Sequence, residues 1–311
     1  MNILVLEPKN ADAFKRLILY LYRFNIRTIK VTDIDNTYIR ITGLCNSNVD
    51  APDSYDAFIE INYYKFQFTQ IYINNEIPIN INVCLLYNTI KNDLFDHSSK
   101  LELIYYKNDQ NQYLLKINIS KHAYSYISYT AEHQVTFNTE SIHTPTIPFN
   151  ENGAHGFINT SELRKMCKIW KQFGMDNIKM TIIDHKLKFE SPYTTVQYDK
   201  IYDNAIMNYD EGNDDNEHNE HYISGLYNIN YLFVMSDFYY YDSKDIYMKN
   251  NSQLIIVYNG SIGKITTVIY SYGNAIDNYK NESEIESEDG NECENNCDND
   301  SNYDYDMEIQ I

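Results

Sequence analysis

Long hydrophobic runs are missing from this chain. No stretch of the 311 residues is apolar for the roughly 18 positions that a membrane-crossing helix needs. No charged n-region with an apolar h-region opens it either. A soluble intracellular protein without a membrane partner is expected. Cysteine is also sparse and unpatterned: Cys45, Cys84 and Cys167 lie in apolar settings, Cys293 and Cys297 in an acidic run. That scatter is no disulfide framework, and "CENNC" lacks the spacing and the second pair of a zinc site. Glycine-rich phosphate loops, nucleophile elbows and paired carboxylates on rigid elements are absent as well. The expectation is therefore no enzyme, no catalytic residue, no cofactor and no metal. Asp33 and Asp35 in "TDIDNTY" have a metal-ligand look, but a turn between strands accounts for them. His218 and His221 in "EHNEH" fall in a polar loop.

Positive charge is the third scarcity. Lys and Arg number 25 against 44 Asp and Glu, a net of −19. The deficit is local. Residues 279–311 carry a net of −11 and residues 201–221 a net of −7, which leaves −1 for the other 257. Such acidic, polar runs bury too little apolar surface to offset their ordering entropy, so both read as loop or disordered tail. The remaining body is near neutral and can meet a polyanion.

Against that background "NTSELRKMCKIWKQFG" (159–174) stands out. Asn159 to Glu162 read as a helix start and Gly174 as its stop. At about 100° per residue, Leu163, Met166, Cys167, Ile169, Trp170 and Phe173 share one face. Arg164, Lys165, Lys168 and Lys171 share the other. A second helix, "NADAFKRLILYLYRFN" (10–25), buries Phe14, Leu17, Ile18, Leu21 and Phe24 and turns Lys15, Arg16 and Arg23 outward. Helical periods also mark 82–95, with Lys91, and 226–241, which has no Lys or Arg. A single basic helix is most often a solvated face. Two in matching positions of a repeat are better evidence.

The remainder alternates with the two-residue period of strands: "RTIKVTDI", "TYIRITGL", "AFIEINYYKF", "KLELIYYK", "QYLLKINIS". Strand, helix, several strands, helix, strands is the order of residues 1–132, and again of 154–278, with the acidic insertion 203–221 inside the second copy. Between them 133–153 is polar and proline-punctuated, a connector. Two helices beside antiparallel strands bury their apolar faces on the sheet and present their opposite faces together. A cationic surface of that kind meets phosphates without reading bases. The fold class expected is α+β, two similar domains of antiparallel sheet with two helices each.

In that order and spacing the chain resembles the DNA sliding clamps of the proliferating cell nuclear antigen family. The resemblance covers about residues 1–278. "KQFGMDNIKMTI" is similar to the family's helix, glycine and strand, and "DHKLKFES" to the turn that follows, with His185 in place of glycine. "INVCLLYNTIKN" resembles a second helix, and "FNTESIHTPTIPFNEN" the connector with its Ile147-Pro148. The resemblance implies a ring of three like subunits around duplex DNA, helices lining the hole. It would be a processivity factor that tethers DNA polymerase and other replication and repair proteins, and that needs a clamp loader. It places hole-lining cations at Lys15, Arg16, Lys91, Lys165 and Lys168, with Arg23, Arg164 and Lys171 nearby. It places a pocket for partner peptides at Ile34, Tyr38, Pro145, Ile147, Val268 and Ile269, and subunit edges at 112–120 and 194–200. Alternatives are a clamp-fold scaffold or transcription factor, or a checkpoint-type subunit of a mixed ring. Overuse of Tyr, Asn and Ile fits an AT-rich genome, and with it a nucleus or a cytoplasmic viral replication factory.

Overall fold

The computed structural model describes residues 1–45, 56–96, 98–121, 127–135, 153–183, 186–190, 200–202, 206–208, 222–237, 243–248 and 253–271. The first half runs β1 (Asn2–Pro8), α1 (Ala11–Arg23), β2 (Thr28–Asp33), β3 (Tyr38–Cys45), β4 (Ala57–Tyr64), β5 (Phe68–Ile73), β6 (Ile79–Asn82), α2 (Val83–Ile90), β7 (Lys100–Lys107), β8 (Tyr113–Lys121) and β9 (Ile127–Val135). The second half runs β10 (Gly153–Asn159), α3 (Thr160–Gln172), β11 (Asn177–Ile183), β12 (Lys186–Glu190), β13 (Lys200–Tyr202), β14 (Ile206–Asn208), β15 (Tyr222–Asn228), α4 (Ile229–Ser236), β16 (Ser243–Met248), β17 (Gln253–Gly260) and β18 (Gly263–Tyr270).

The two halves use one pairing scheme. β1 pairs with β5 and β7, then β7 with β8 and β8 with β9. β10 pairs in the same way with β14 and β16, then β16 with β17 and β17 with β18. A second ladder joins β4, β3, β2 and β6, and its counterpart joins β13, β12, β11 and β15. Every pair is antiparallel. The halves fuse where β18 pairs with β4, from Gly263 opposite Tyr63 to Ile269 opposite Ala57, giving one nine-stranded sheet. Gly263 sits at φ +137°, and a Cβ there would lie 2.0 Å from the Asn62 carbonyl oxygen. Only glycine lets the strands close at that corner.

Each helix begins at an asparagine. The Oδ1 atoms of Asn10, Asn82, Asn159 and Asn228 accept from the N–H groups of Ala13, Leu85, Ser161 and Asn230 at 2.8–2.9 Å. This satisfies donors that a helix start leaves open. Gly174 ends α3 in the left-handed region, φ +67°, and Asn25 follows α1 at φ +58°. The helices bury Phe14, Leu17, Leu21, Leu86, Leu163, Trp170 and Leu232 against the sheets in one continuous core. Tyr20 of α1 bonds Thr267 of β18 at 3.0 Å, and the Tyr258 hydroxyl of β17 donates to the Met235 carbonyl of α4 at 3.2 Å. Helices of both halves thus cover the same side of the shared sheet.

Several expectations change. α2 stops at Ile90 rather than 95, and α4 spans Ile229–Ser236 rather than 226–241, because Leu226 to Asn228 complete a strand. β9 was illegible: "ISYTAEHQV" is polar, as befits a strand at the end of its sheet, and its last three residues, 133 to 135, fall within the expected connector. β8 consequently lies inside its sheet, between β7 and β9, and is not an edge. Part of the acidic insertion is strand, since β14 pairs with β10. Residues 209–221, the connector at 136–152 and the tail beyond 271 lie outside the described residues. Asp35 accepts from the N–H groups of Thr37 and Tyr38, which lowers its pKa, while Asp33 pairs with Lys65 at 2.5 Å. The pair builds a turn.

Candidate nucleic-acid interface

α1 and α3 are the matching first helices of the two halves, and each is amphipathic. On α3, Leu163, Met166, Cys167 and Trp170 are buried while Lys165, Lys168 and Lys171 are exposed. On α1, Arg16 and Arg23 are exposed and Lys15 is half-buried. The solvent sides of the helices form one surface, because their polar groups reach across to one another. Lys15 Nζ donates to the Lys91 carbonyl at 2.8 Å and to that of Asp93. Arg23 and Arg164 both reach Asp237 at the end of α4, at 2.9 and 2.8 Å. Lys171 stands 4.5 Å from the centroid of the Phe233 ring of α4.

The eight sequence-derived cations therefore differ in what they offer. Lys165 and Lys168 are exposed and make no ion pair among the described residues. Lys91 is exposed and donates to Asn88 at 3.0 Å. Arg16 pairs with Asp12 one turn back at 2.7 Å, with its side chain still 54 % exposed; such exposed pairs are weak. Lys15 departs most from the helical-wheel expectation. It caps the C-terminal carbonyls of α2, and burial there pulls its ammonium below the ordinary lysine range. Its charge steadies a helix end rather than standing free. The bare outer face of α4 also has an account: its positive charge is borrowed, Arg23 from α1 and Arg164 and Lys171 from α3.

The opposite face of the nine-stranded sheet carries an apolar cluster. Phe58, Ile255, Val257 and Val268 are buried there, with Leu44, Tyr247 and Tyr270 packed against them. Register puts Leu44, Phe58, Val268 and Ile255 in one row across four strands. Of the expected pocket residues, Val268 belongs to this cluster. Ile269, next along β18, points to the helix side and is fully buried in the main core. Tyr38 pairs with Tyr64 at the far end of the β3–β4 ladder, six residues from Leu44, or about 20 Å. Ile34 lies beyond it in the turn, 41 % exposed. Pro145 and Ile147 are outside the described residues. Leu44, Phe58, Ile255 and Val257, which complete this cluster, were not singled out in the sequence. The signal was there: "LIIVY" is apolar at consecutive positions, the mark of a strand covered on both faces.

No protein-family model matches the sequence, and comparison with curated proteins gives no match. Solved structures do match. Proliferating cellular nuclear antigen from Entamoeba histolytica aligns at 16 % identity and TM-score 0.62, over 87 % of this chain and 99 % of its own. The PCNA2–PCNA3 complex from Sulfolobus tokodaii gives 14 % and 0.63 over 87 % and 100 %. PCNA from Thermococcus kodakaraensis gives 17 % and 0.60 over 86 % and 99 %. The fold is the DNA clamp fold. Within this clamp fold the repeat makes its own statement about edges. The in-chain junction joins the last strand of one half, β18, to the third strand of the other half's second ladder, β4. The counterparts of these two strands are β9 and β13, each at the end of its sheet among the described residues. β9 is braced from the helix layer. The Asp93 carboxylate, behind α2, takes the Tyr129 hydroxyl and, at 2.6 Å, Lys121 Nζ, while Thr89 meets His133 at 3.0 Å. Burial and the Asp93 carboxylate raise the Tyr129 pKa.

Proposed function

We propose that the chain is a DNA sliding clamp and polymerase processivity factor, which closes with further copies of itself into a ring around duplex DNA. The observation that carries this reading is the pair of spare edges. β9 of one copy and β13 of the next are the counterparts of β18 and β4, so the ladder that fuses the halves repeats between copies. Head-to-tail pairing of that sort closes into a ring and covers both of these edges. The cationic helix faces then line the hole, where contacts limited to phosphate hold DNA without fixing a position along it. The role is a scaffold's rather than an enzyme's. The Leu44–Phe58–Val268 cluster suits the apolar anchor of a partner peptide from a polymerase or repair protein. A loader opens the ring.

Retention on circular DNA tests this. Labelled protein loaded on nicked circles is expected to stay through a salt wash and to fall off once the circle is cut. Equal loss from circles and from open-ended linear DNA would refute topological enclosure. In solution the ring is expected at about 110 kDa, three times the 36.7 kDa chain. A mixed ring is the second reading, favoured by the heteromeric Sulfolobus neighbour and the cation-free α4; a mass near one chain supports it.

Proline substitutions probe the seam. Neighbouring residues on a strand direct their N–H groups to opposite sides. Of Thr130→Pro and Ala131→Pro on β9, one therefore removes a donor aimed outward. That variant is expected to run as a folded monomer, while the other disturbs the β8–β9 ladder and lowers the melting temperature. Two intact rings would place the subunit seam elsewhere.

A further inference from the structure

Asp237 occupies a position where an acid is disfavoured, at the C-cap of α4, close to the negative end of the helix dipole. Its side chain is only 15 % exposed. What holds it is a pair of guanidinium groups from the two halves. Arg23 Nη1 at the last turn of α1 is 2.9 Å from Oδ2, and Arg164 Nε in α3 is 2.8 Å from Oδ1. An arginine has five N–H donors in a planar fork, so the contact to Asp237 engages only part of each guanidinium. Arg23 remains 49 % exposed and Arg164 29 %. Two arginines are thus drawn to one point across the seam between the halves, with their joint charge cut from +2 to +1.

Resting on the clamp reading above, we propose that Asp237 is a built-in counter-charge that orients Arg23 and Arg164 into one phosphate-contact site and keeps its grip weak. A phosphate arriving there meets oriented donors but competes with a carboxylate that never leaves. The contact forms and breaks readily as DNA moves past. The same arrangement explains why α4 lacks cations of its own: its charge arrives from α1 and α3, already tempered.

The test uses the full chain and a short duplex of mixed sequence, with affinity measured across a salt series. Asp237→Asn keeps the shape and removes the counter-charge. It is expected to bind several-fold tighter at low salt, and to steepen the dependence of log affinity on log salt by about 0.9 to 1.8, the value of one or two added phosphate contacts. Adding Arg23→Ala and Arg164→Ala to that variant should erase the gain. Retention on heparin gives a second readout that needs no ring and no duplex, and Asp237→Asn should elute at higher salt. Asp237→Ser, also an uncharged polar cap, repeats the comparison should the amide disturb folding. An unchanged slope and heparin elution with unchanged melting would overturn the proposal, as would a gain that survives loss of both arginines. Wild-type protein that ignores duplex at low salt, while Asp237→Asn still shifts on heparin, would sink the clamp reading and leave the counter-charge standing.

Discussion

Alanine at Arg16, Lys165 and Lys168 together is expected, on the clamp function proposed above, to abolish most of the salt-sensitive hold on DNA while leaving the fold intact. These side chains are exposed on α1 and α3, so their loss removes charge and almost no packing. Each phosphate contact contributes about 0.9 to the slope of log affinity against log salt. Three fewer contacts make the loss of affinity between about 50 and 200 mM salt roughly 40-fold smaller than in the wild type. Melting should move by no more than the roughly 0.5 kcal/mol typical of exposed sites. The same substitutions at Lys30, Lys100 and Lys107, which lie on strands, serve as a charge-matched control and should leave the slope unchanged. A triple variant that keeps the wild-type salt dependence would remove these helices from the DNA path.

Trp170→Ala should produce the largest loss of stability. Trp170 is fully buried beneath α3 and packs on Phe189 of β12, ring centroids 5.4 Å apart. Truncating such a residue removes its transfer energy and leaves a cavity, together about 3–5 kcal/mol. For a unit of this size the melting midpoint should fall on the order of 10 °C. The indole N–H has no hydrogen-bond partner among the described residues, so Trp170→Phe keeps most of the apolar contact and discards an unsatisfied donor. It should lose much less. Calorimetry on the three proteins decides. A midpoint for Trp170→Ala within about 2 °C of wild type would contradict the cavity argument.

The helices were the most legible part of the chain. α1 and α3 each combine an asparagine start with an amphipathic period of 13 residues, and both signals are local. α1 and α3 lie within a residue or two of expectation. The duplicated order of elements was legible too, because it depends on sequence intervals rather than on any one residue. β9 was not. A strand that packs on one side and ends its sheet needs few apolar residues, and its hydrogen-bond partner is not written in its own sequence. The roles of individual cations were hidden for a related reason. A helical wheel shows that Lys15 and Arg23 face away from the core, but not that the end of α2 waits beside one and Asp237 beside the other. The outer apolar cluster was not legible, because it depends on strand register. A shift of one residue along β18 exchanges Val268 for Ile269 and one face of the sheet for the other, and only pairing with β4 and β17 decides between them.

The β18–β4 ladder carries a mechanical consequence. Its continuous main-chain bonding is backed by side chains that cross the same line: Tyr20 to Thr267, Phe24 stacked on Tyr231 at 4.9 Å, and Arg23 to Asp237. Bending one half against the other would break all of these at once, so the two halves swing together as one stiff lever. In the ring proposed above every gate would then be a boundary between copies, and strain applied anywhere on a copy would be delivered to its two ends.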